Sequence, residues 1–266
     1  MINRCRPLPI IVIGGVATGA KAAAKARRVN AGHEIILYQD EAEISYSACG
    51  MPYVISGVIE APRSLIIRTP EDFAKQGIQV LTRHRVVTID AAKQQLTVKN
   101  LQDNTDAIVS YDRLIRGDIA NLQGKVAGEN AAGGHAYFPG VLGTAIFKTF
   151  NLTVASTGLS EKAALEAGFN PVSVQITAND CAGYYPGKQT LTLTLTANRN
   201  DGRLLGCQSV GFGKVDKMID IAATALLGQL TCSELAYADF AYAPPFSPAL
   251  SPIIVAASLL SDKLNT

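Results

Sequence analysis

The stretch Ile10-Ile11-Val12-Ile13-Gly14-Gly15-Val16-Ala17-Thr18-Gly19 decides the fold class of this chain. A short β-branched run stops on two glycines, and the alanine-, lysine- and arginine-rich segment Ala20 to Arg28 that follows favours a helix. The apolar run Glu34 to Tyr38 reads as a second strand, so the order is β-α-β. The junction is a variant of G-x-G-x-x-G, with Gly14 and Gly19 at the outer positions and Val16 in the middle. Glycines there permit a tight turn and close helix–strand packing, while the helix N-terminus offers free N–H groups to a pyrophosphate. Gly14, Gly15, Val16, Ala17 and Gly19 are therefore candidate nucleotide-binding residues; the competing reading is an ordinary βαβ turn that binds nothing. Where an acid is expected for a ribose, at the end of the second strand, stands Gln39, followed by Asp40 and Glu41. Glutamine still accepts a hydrogen bond from a ribose hydroxyl, without charge assistance.

Six residues beyond Gln39 begins Ser45-Tyr46-Ser47-Ala48-Cys49-Gly50-Met51-Pro52-Tyr53, which sets a cysteine among small residues before a Gly-Met-Pro turn. A redox sulfur must be reachable and must react as thiolate, and small neighbours leave room for a second sulfur and a flat ring. Cys49 is read as that thiol, against the bland alternative of a buried small residue. The chain has 266 residues, 48% of them hydrophobic and 17% charged, enough for one large or two ordinary domains with a proper core. A net charge of +2 with interspersed signs offers no basic stripe for nucleic acid and no polybasic membrane patch. The five cysteines, Cys5, Cys49, Cys181, Cys207 and Cys232, are odd in number and lack CxxC or Cys/His spacing, which argues against a disulfide framework or a zinc site. That usage fits a reducing, cytoplasmic setting. No apolar stretch is long enough to span a bilayer, and the arginines before Pro9 lead into Gly14-Gly15 instead of a cleavage site.

Downstream, Leu65 to Phe73 leads into a helix with Thr69 as N-cap and Pro70 at its first position. Ile78 to Leu81, Arg85 to Ile89, Gln95 to Lys99 and Ala107 to Ser110 read as strands. Tyr111-Asp112-Arg113-Leu114-Ile115 is followed by Arg116-Gly117-Asp118 and at once by a helical stretch, Asn121 to Ala132, closed by Gly133-Gly134. Composition changes near Tyr137. A helix from Ser160 to Ala167, strands at Val172–Thr177, Gln189–Ala197 and Leu204–Gly211, helices at Val215–Leu227 and Cys232–Ala236, a loop from Tyr237 to Pro248 and a last helix from Pro252 to Leu260 follow. The middle strand alternates Leu and Thr, so one face is apolar and the other hydroxylated. The expected organisation is an α/β, Rossmann-like nucleotide-binding unit followed by an α+β half with apolar surface suited to a subunit interface.

Taken together these segments resemble the single-cysteine branch of the flavoprotein pyridine nucleotide–disulfide oxidoreductases, which contains coenzyme A-disulfide reductase, persulfide reductases and NADH oxidases. Carrying the resemblance are the glycine stretch, Ser45 to Tyr53, Arg68-Thr69-Pro70-Glu71, Tyr111 to Ile115 and Asn121 to Gly128. It continues through Phe138-Pro139-Gly140, Thr157-Gly158-Leu159-Ser160, Tyr184-Tyr185-Pro186-Gly187, Asp216-Lys217 and Tyr242-Ala243-Pro244-Pro245-Phe246-Ser247. The resemblance implies an α/β FAD-binding domain, Rossmann-like and three-layered, over residues 1–135 and an α+β dimerisation domain over 136–266, with FAD as cofactor, NAD(P)H as the family's reductant, a homodimer, and Cys49 exchanging with coenzyme A disulfide or a persulfide. It implies that Tyr242, with Tyr184 or Tyr185, approaches the partner subunit's cysteine, where a phenol can protonate a leaving thiolate; a packed ring is the competing reading for each. Gly14 to Gly19, Gln39, Asp40 and Asn121 fall at cofactor positions, and Ser45 and Arg68 at substrate positions. Lys21, Lys25 and Arg28, at i, i+4 and i+7 of one helix face, match positions that touch coenzyme A, against a merely solvated charged face.

The resemblance also exposes a gap. In the family the strand ending Leu-Ile runs into an Ala-Thr-Gly turn and a nicotinamide-binding domain; here it meets Arg116-Gly117-Asp118 and the Asn121 helix. A domain on the order of 150 to 200 residues is expected to be missing. Three positions also depart from the family's pattern: Ala48 for asparagine, Cys181 for histidine and Leu250 for a basic residue. The two function classes left open are a flavin-dependent disulfide or persulfide reductase and a catalytically impaired scaffold that folds and dimerises. A flavin-free carrier of coenzyme A or sulfane sulfur that uses Cys49 is a third.

Overall fold

A computed structural model describes residues 8–117 and 121–265. The chain forms two compact units, Met1–Pro139 and Gly140–Thr266. Cys5 and Asp118 lie outside the described residues.

In the first unit, β1 (Ile10–Ile13), α1 (Thr18–Val29) and β2 (Ile35–Tyr38) form the expected β-α-β unit. With β3 (Ile78–Leu81) and β7 (Arg113–Arg116), the strands make a parallel sheet of order β3-β2-β1-β7. Ile10 pairs with both Ile35 and Arg113, and Ile35 with Ile78. One sheet face buries Ile10, Val12, Ile35, Leu37 and Ile78 against the alanines of α1. The other packs Ile11 and Tyr38 on Leu96, Val98 and Tyr111, beneath an antiparallel sheet of β4 (His84–Asp90), β5 (Gln95–Asn100) and β6 (Asp106–Ser110). Helices, parallel sheet and antiparallel sheet are the three layers anticipated from the sequence.

Helix α4 (Asn121–Ala131) lies directly on α1. Gly124 and Gly128 make this possible, because a methyl on either would collide with the backbone carbonyls of Thr18 and Ala22. The contact is sealed by an ion pair between Lys25 Nζ and Glu129 at 3.0 Å. One expectation fails in this unit: Gly50-Met51-Pro52 is not a free turn. A 3₁₀ turn, Ala48–Gly50, runs into the short helix α2 (Met51–Ile55), with proline in its first positions, where the missing N–H costs nothing. Helix α3 (Pro70–Ala74) begins as expected, with a reciprocal capping box between Thr69 and Asp72.

The second unit is one antiparallel sheet of order β10-β11-β12-β9-β8 with helices on it. Its elements are β8 (Ala145–Thr149), β9 (Leu152–Gly158), α5 (Glu161–Glu166), β10 (Pro171–Asn179), β11 (Thr190–Asn198) and β12 (Leu204–Gly211). Helices α6 (Val215–Leu227), α7 (Cys232–Ala236) and α8 (Pro252–Leu264) complete it. The alternation in β11 works as read: Leu191, Leu193 and Leu195 are buried in a core with Met218, Ile219 and Ile253. Its hydroxyl face ties strands together through Ser173–Thr196 and Thr177–Thr192 contacts at 2.9 and 3.0 Å. The β8–β9 hairpin was not anticipated. Every residue of β8 is exposed, which erases the alternation, and its turn uses Phe150 at φ 52° without a glycine.

Candidate functional site

The glycine loop and the cysteine loop are one construction. The Ser45 N–H donates to the Gly15 carbonyl at 2.8 Å, and Ser45 itself takes φ 51° to make the turn. From there the chain is held on its other side by Ile67 N–H to Ser45 carbonyl and Ser47 N–H to Leu65 carbonyl, at 2.9 and 2.8 Å. Gly50 fits because a side chain there would strike Leu65. Cys49 is thereby presented on a short, anchored turn and is the exposed cysteine among the described residues; Cys181, Cys207 and Cys232 are buried. Burial pushes the Cys207 thiol up to about 12, which makes it inert at neutral pH.

Cys49 opens onto a cavity of about 350 Å³ lined by Val16, Ala17, Lys21, Arg28, Ser45, Ala48, Arg68 and Asn121. Eight of the residues singled out in the sequence thus meet at one place: these, with Cys49 counted and Ala48 set aside. The guanidinium of Arg68 stands 5.8 Å over the ring of buried Phe73. Three cations around one thiol give the cavity a positive potential that can attract an anionic ligand. Lys25 is the exception among the predicted cations, since it is held in the α1–α4 ion pair with Glu129.

Of the residues expected at a cofactor, Gly14, Gly15, Gln39 and Asp40 follow the C-terminal ends of β1 and β2, and Gly19 stands in the first turn of α1. Helix α1 begins with no side-chain cap at Ala17 and no acid in its first turn, so its N–H groups and dipole remain available to an anion. Those features fit a dinucleotide pyrophosphate. Gly14, at φ 89°, turns the chain, and Gly117 at the end of β7 packs against Gly19, where a methyl would lie 2.8 Å from the Gly19 nitrogen. The Gln39 side chain is buried, its Oε1 accepting from the Gly15 N–H at 2.7 Å and its Nε2 donating to Glu41 at 3.0 Å. Tyr46 donates to the same Glu41 oxygen at 2.7 Å. This bond, with smaller help from burial and from the charges of Glu41 and Asp40, pushes the Tyr46 phenol up to about 12. Asp40 instead faces Arg85 at 3.4 Å. Glu41 and Tyr46 were not singled out as site residues; their contact bridges two loops and leaves no periodic signal.

In the second unit, Tyr184 and Tyr242 are exposed neighbours, and hydrogen bonding to Tyr184 raises the Tyr242 phenol above its ordinary value. Tyr185 is partly covered, its N–H donating to the Ala182 carbonyl at 2.8 Å. Lys214, which the sequence did not mark, ties the two tyrosine loops by donating to the Asp180 and Pro245 carbonyls at 3.3 and 2.7 Å. Cys181, at the histidine-like position, is buried and its thiol raised by that burial.

Residues 8–117 match the family profile described as pyridine nucleotide-disulphide oxidoreductase, and residues 144–252 match the dimerisation domain of the same family. The chain is 41% identical over 140 residues to an NAD(P)H sulfur oxidoreductase (CoA-dependent) of Pyrococcus furiosus, covering 53% of this chain and 31% of that protein. It is 37% identical over 107 residues to a coenzyme A disulfide reductase of Staphylococcus aureus, covering 40% and 24%. The chain thus spans about a third or less of the length of these relatives. Its fold matches that of reduced Bacillus anthracis CoADR-RHD with a TM-score of 0.90 at 20% identity, over 99% of this chain and 82% of that one. A NAD-dependent persulfide reductase from A. fulgidus gives a TM-score of 0.89 at 21% identity, over 97% and 84%. With the two profiles matched in order over most of its length, the chain belongs to the pyridine nucleotide-disulphide oxidoreductases.

Proposed function

We propose that this chain derives from an FAD-dependent reductase of coenzyme A disulfide, persulfides or related sulfur substrates, acting through Cys49. The observation that carries the reading is the exposed Cys49 thiol sharing one cavity with Lys21, Arg28 and Arg68. The cations bind the phosphates of the thiol substrate, and the Cys49 thiolate attacks its disulfide, forming a mixed disulfide and releasing one thiolate. Gly14, Gly15, Val16, Ala17 and Gly19 hold the cofactor's pyrophosphate at the α1 N-terminus. When bound, FAD supplies the electron pair that reopens the mixed disulfide. Tyr242, with Tyr184 beside it, is the proton donor to the leaving thiolate, contributed by the partner subunit of a homodimer. Free cysteines throughout the described residues accord with a reducing, cytoplasmic setting, and no helix among those residues is long and apolar enough to cross a membrane.

A second reading, a domain-deleted scaffold that folds and dimerises without turnover, is favoured by a separate observation. β7 ends at Arg116 and α4 begins at Asn121, which leaves no room between them for a nicotinamide-binding domain. The readings part on one experiment: gel filtration of the purified chain, then its visible spectrum before and after anaerobic NADH, with and without coenzyme A disulfide. A yellow dimer bleached by NADH and reoxidised by the disulfide establishes the reductase. A yellow dimer that dithionite reduces and NADH does not is the scaffold, and a colourless chain removes FAD from the reading.

A further inference from the structure

Gln39 occupies the strand end where a carboxylate would take a ribose, and its acceptor oxygen is spent on the Gly15 N–H at 2.7 Å. Of the two acids that follow, Asp40 is turned to Arg85 at 3.4 Å. Glu41 remains. Its carboxylate is exposed, yet fixed through one oxygen: Oε2 accepts from Gln39 Nε2 at 3.0 Å and from the Tyr46 hydroxyl at 2.7 Å. Its backbone is fixed too, because the Arg83 N–H donates to the Glu41 carbonyl at 3.0 Å and the His84 N–H to the Gln39 carbonyl at 2.9 Å. A carboxylate anchored on one oxygen presents the other, Oε1, to an incoming donor in a set direction.

We infer that Glu41 is the acceptor for the ribose cis-diol of an adenine nucleotide in this chain, with Gln39 and Tyr46 positioning its carboxylate. The inference rests on the nucleotide reading proposed above. A cis-diol offers two O–H donors, and an ionised carboxylate accepts both with charge assistance that an amide lacks. The charge missing at Gln39 is in this way restored two residues later and joined to the glycine loop through the Gln39 amide, which touches Gly15 on one side and Glu41 on the other.

The test is calorimetric titration of the full chain with ADP and with 2′,3′-dideoxy-ADP, in wild type and in Glu41→Gln, whose circular dichroism checks the fold of this exposed-site variant. ADP affinity is expected to fall about tenfold or more in Glu41→Gln, while dideoxy-ADP, with no diol to lose, binds both proteins alike. Unchanged ADP affinity, or an equal loss for both ligands, overturns the inference and leaves the nucleotide reading standing. A wild type that binds neither ADP nor FAD overturns both.

Discussion

Lys25 Nζ meets the Glu129 carboxylate at 3.0 Å between α1 and α4, while Lys21, one turn earlier on the same helix, lines the cavity of Cys49. Two lysines on the same face of α1 as Arg28 therefore have different work. Lys21→Met and Arg28→Met should each weaken coenzyme A binding about tenfold, and Lys25→Met by less than about threefold. Lys25→Met should instead lower thermal stability, by about 1 kcal/mol for a part-buried pair. Equilibrium dialysis with coenzyme A beside thermal melts separates the two effects; equal affinity losses for all three variants would refute the assignment.

Gly128→Ala should destabilise the first unit by about 1–3 kcal/mol, despite the better helix propensity of alanine, because its methyl is driven into the Ala22 carbonyl. Urea titration reads the midpoint directly. A stabilised protein would mean that α4 can move away from α1 freely.

Thiol reactivity should be dominated by Cys49. In a Cys5→Ser background, Ellman's reagent at neutral pH should modify one thiol rapidly, and Cys49→Ser should abolish that phase. Cys207, raised to about 12 by burial, should react only after denaturation. Persistence of the fast phase in Cys49→Ser would remove the cysteine from the proposed chemistry.

Between Tyr46 and Glu41 the sign of the pH dependence is fixed by the shift from 10.0 to about 12. The folded state keeps the phenol proton to higher pH than the unfolded chain does, so this contribution to stability is complete below about 10 and declines as pH rises toward about 12. The difference in melting temperature between wild type and Tyr46→Phe should shrink over that window. A difference that stays constant through it would show that the hydrogen bond to Glu41 does not hold the proton.

Much of the fold could be read because it rests on local signals. α6 and α7 begin and end where the residues announce them, Thr69 and Ser160 cap as expected, and the Leu/Thr alternation of β11 separates core from surface. What escaped reading depends on tertiary contact. The β8 strand carries no buried residue, and the first turn of α2 holds a proline that reads equally as a turn. The same division runs through the site. Cys49, the glycines and Lys21 stand in recognisable local motifs, whereas the commitment of Lys25 to Glu129, and of Gln39 to both Gly15 and Glu41, exists only once distant segments meet.

The three glycines around the nucleotide loop exclude one another's side chains in a closed circuit. A methyl on Gly14 would press the Gly117 carbonyl at 3.3 Å, one on Gly117 would crowd the Gly19 nitrogen at 2.8 Å, and one on Gly19 would collide with the Gly14 carbonyl. In evolutionary terms they constitute a single character spread over distant codons. No member can drift to alanine and be compensated by another, since each neighbour is already the smallest residue available. Any change of length or sequence between Ile115 and the α4 helix has to leave Gly117 in register with Gly14 and Gly19, and the tolerated sequences at that point are correspondingly few.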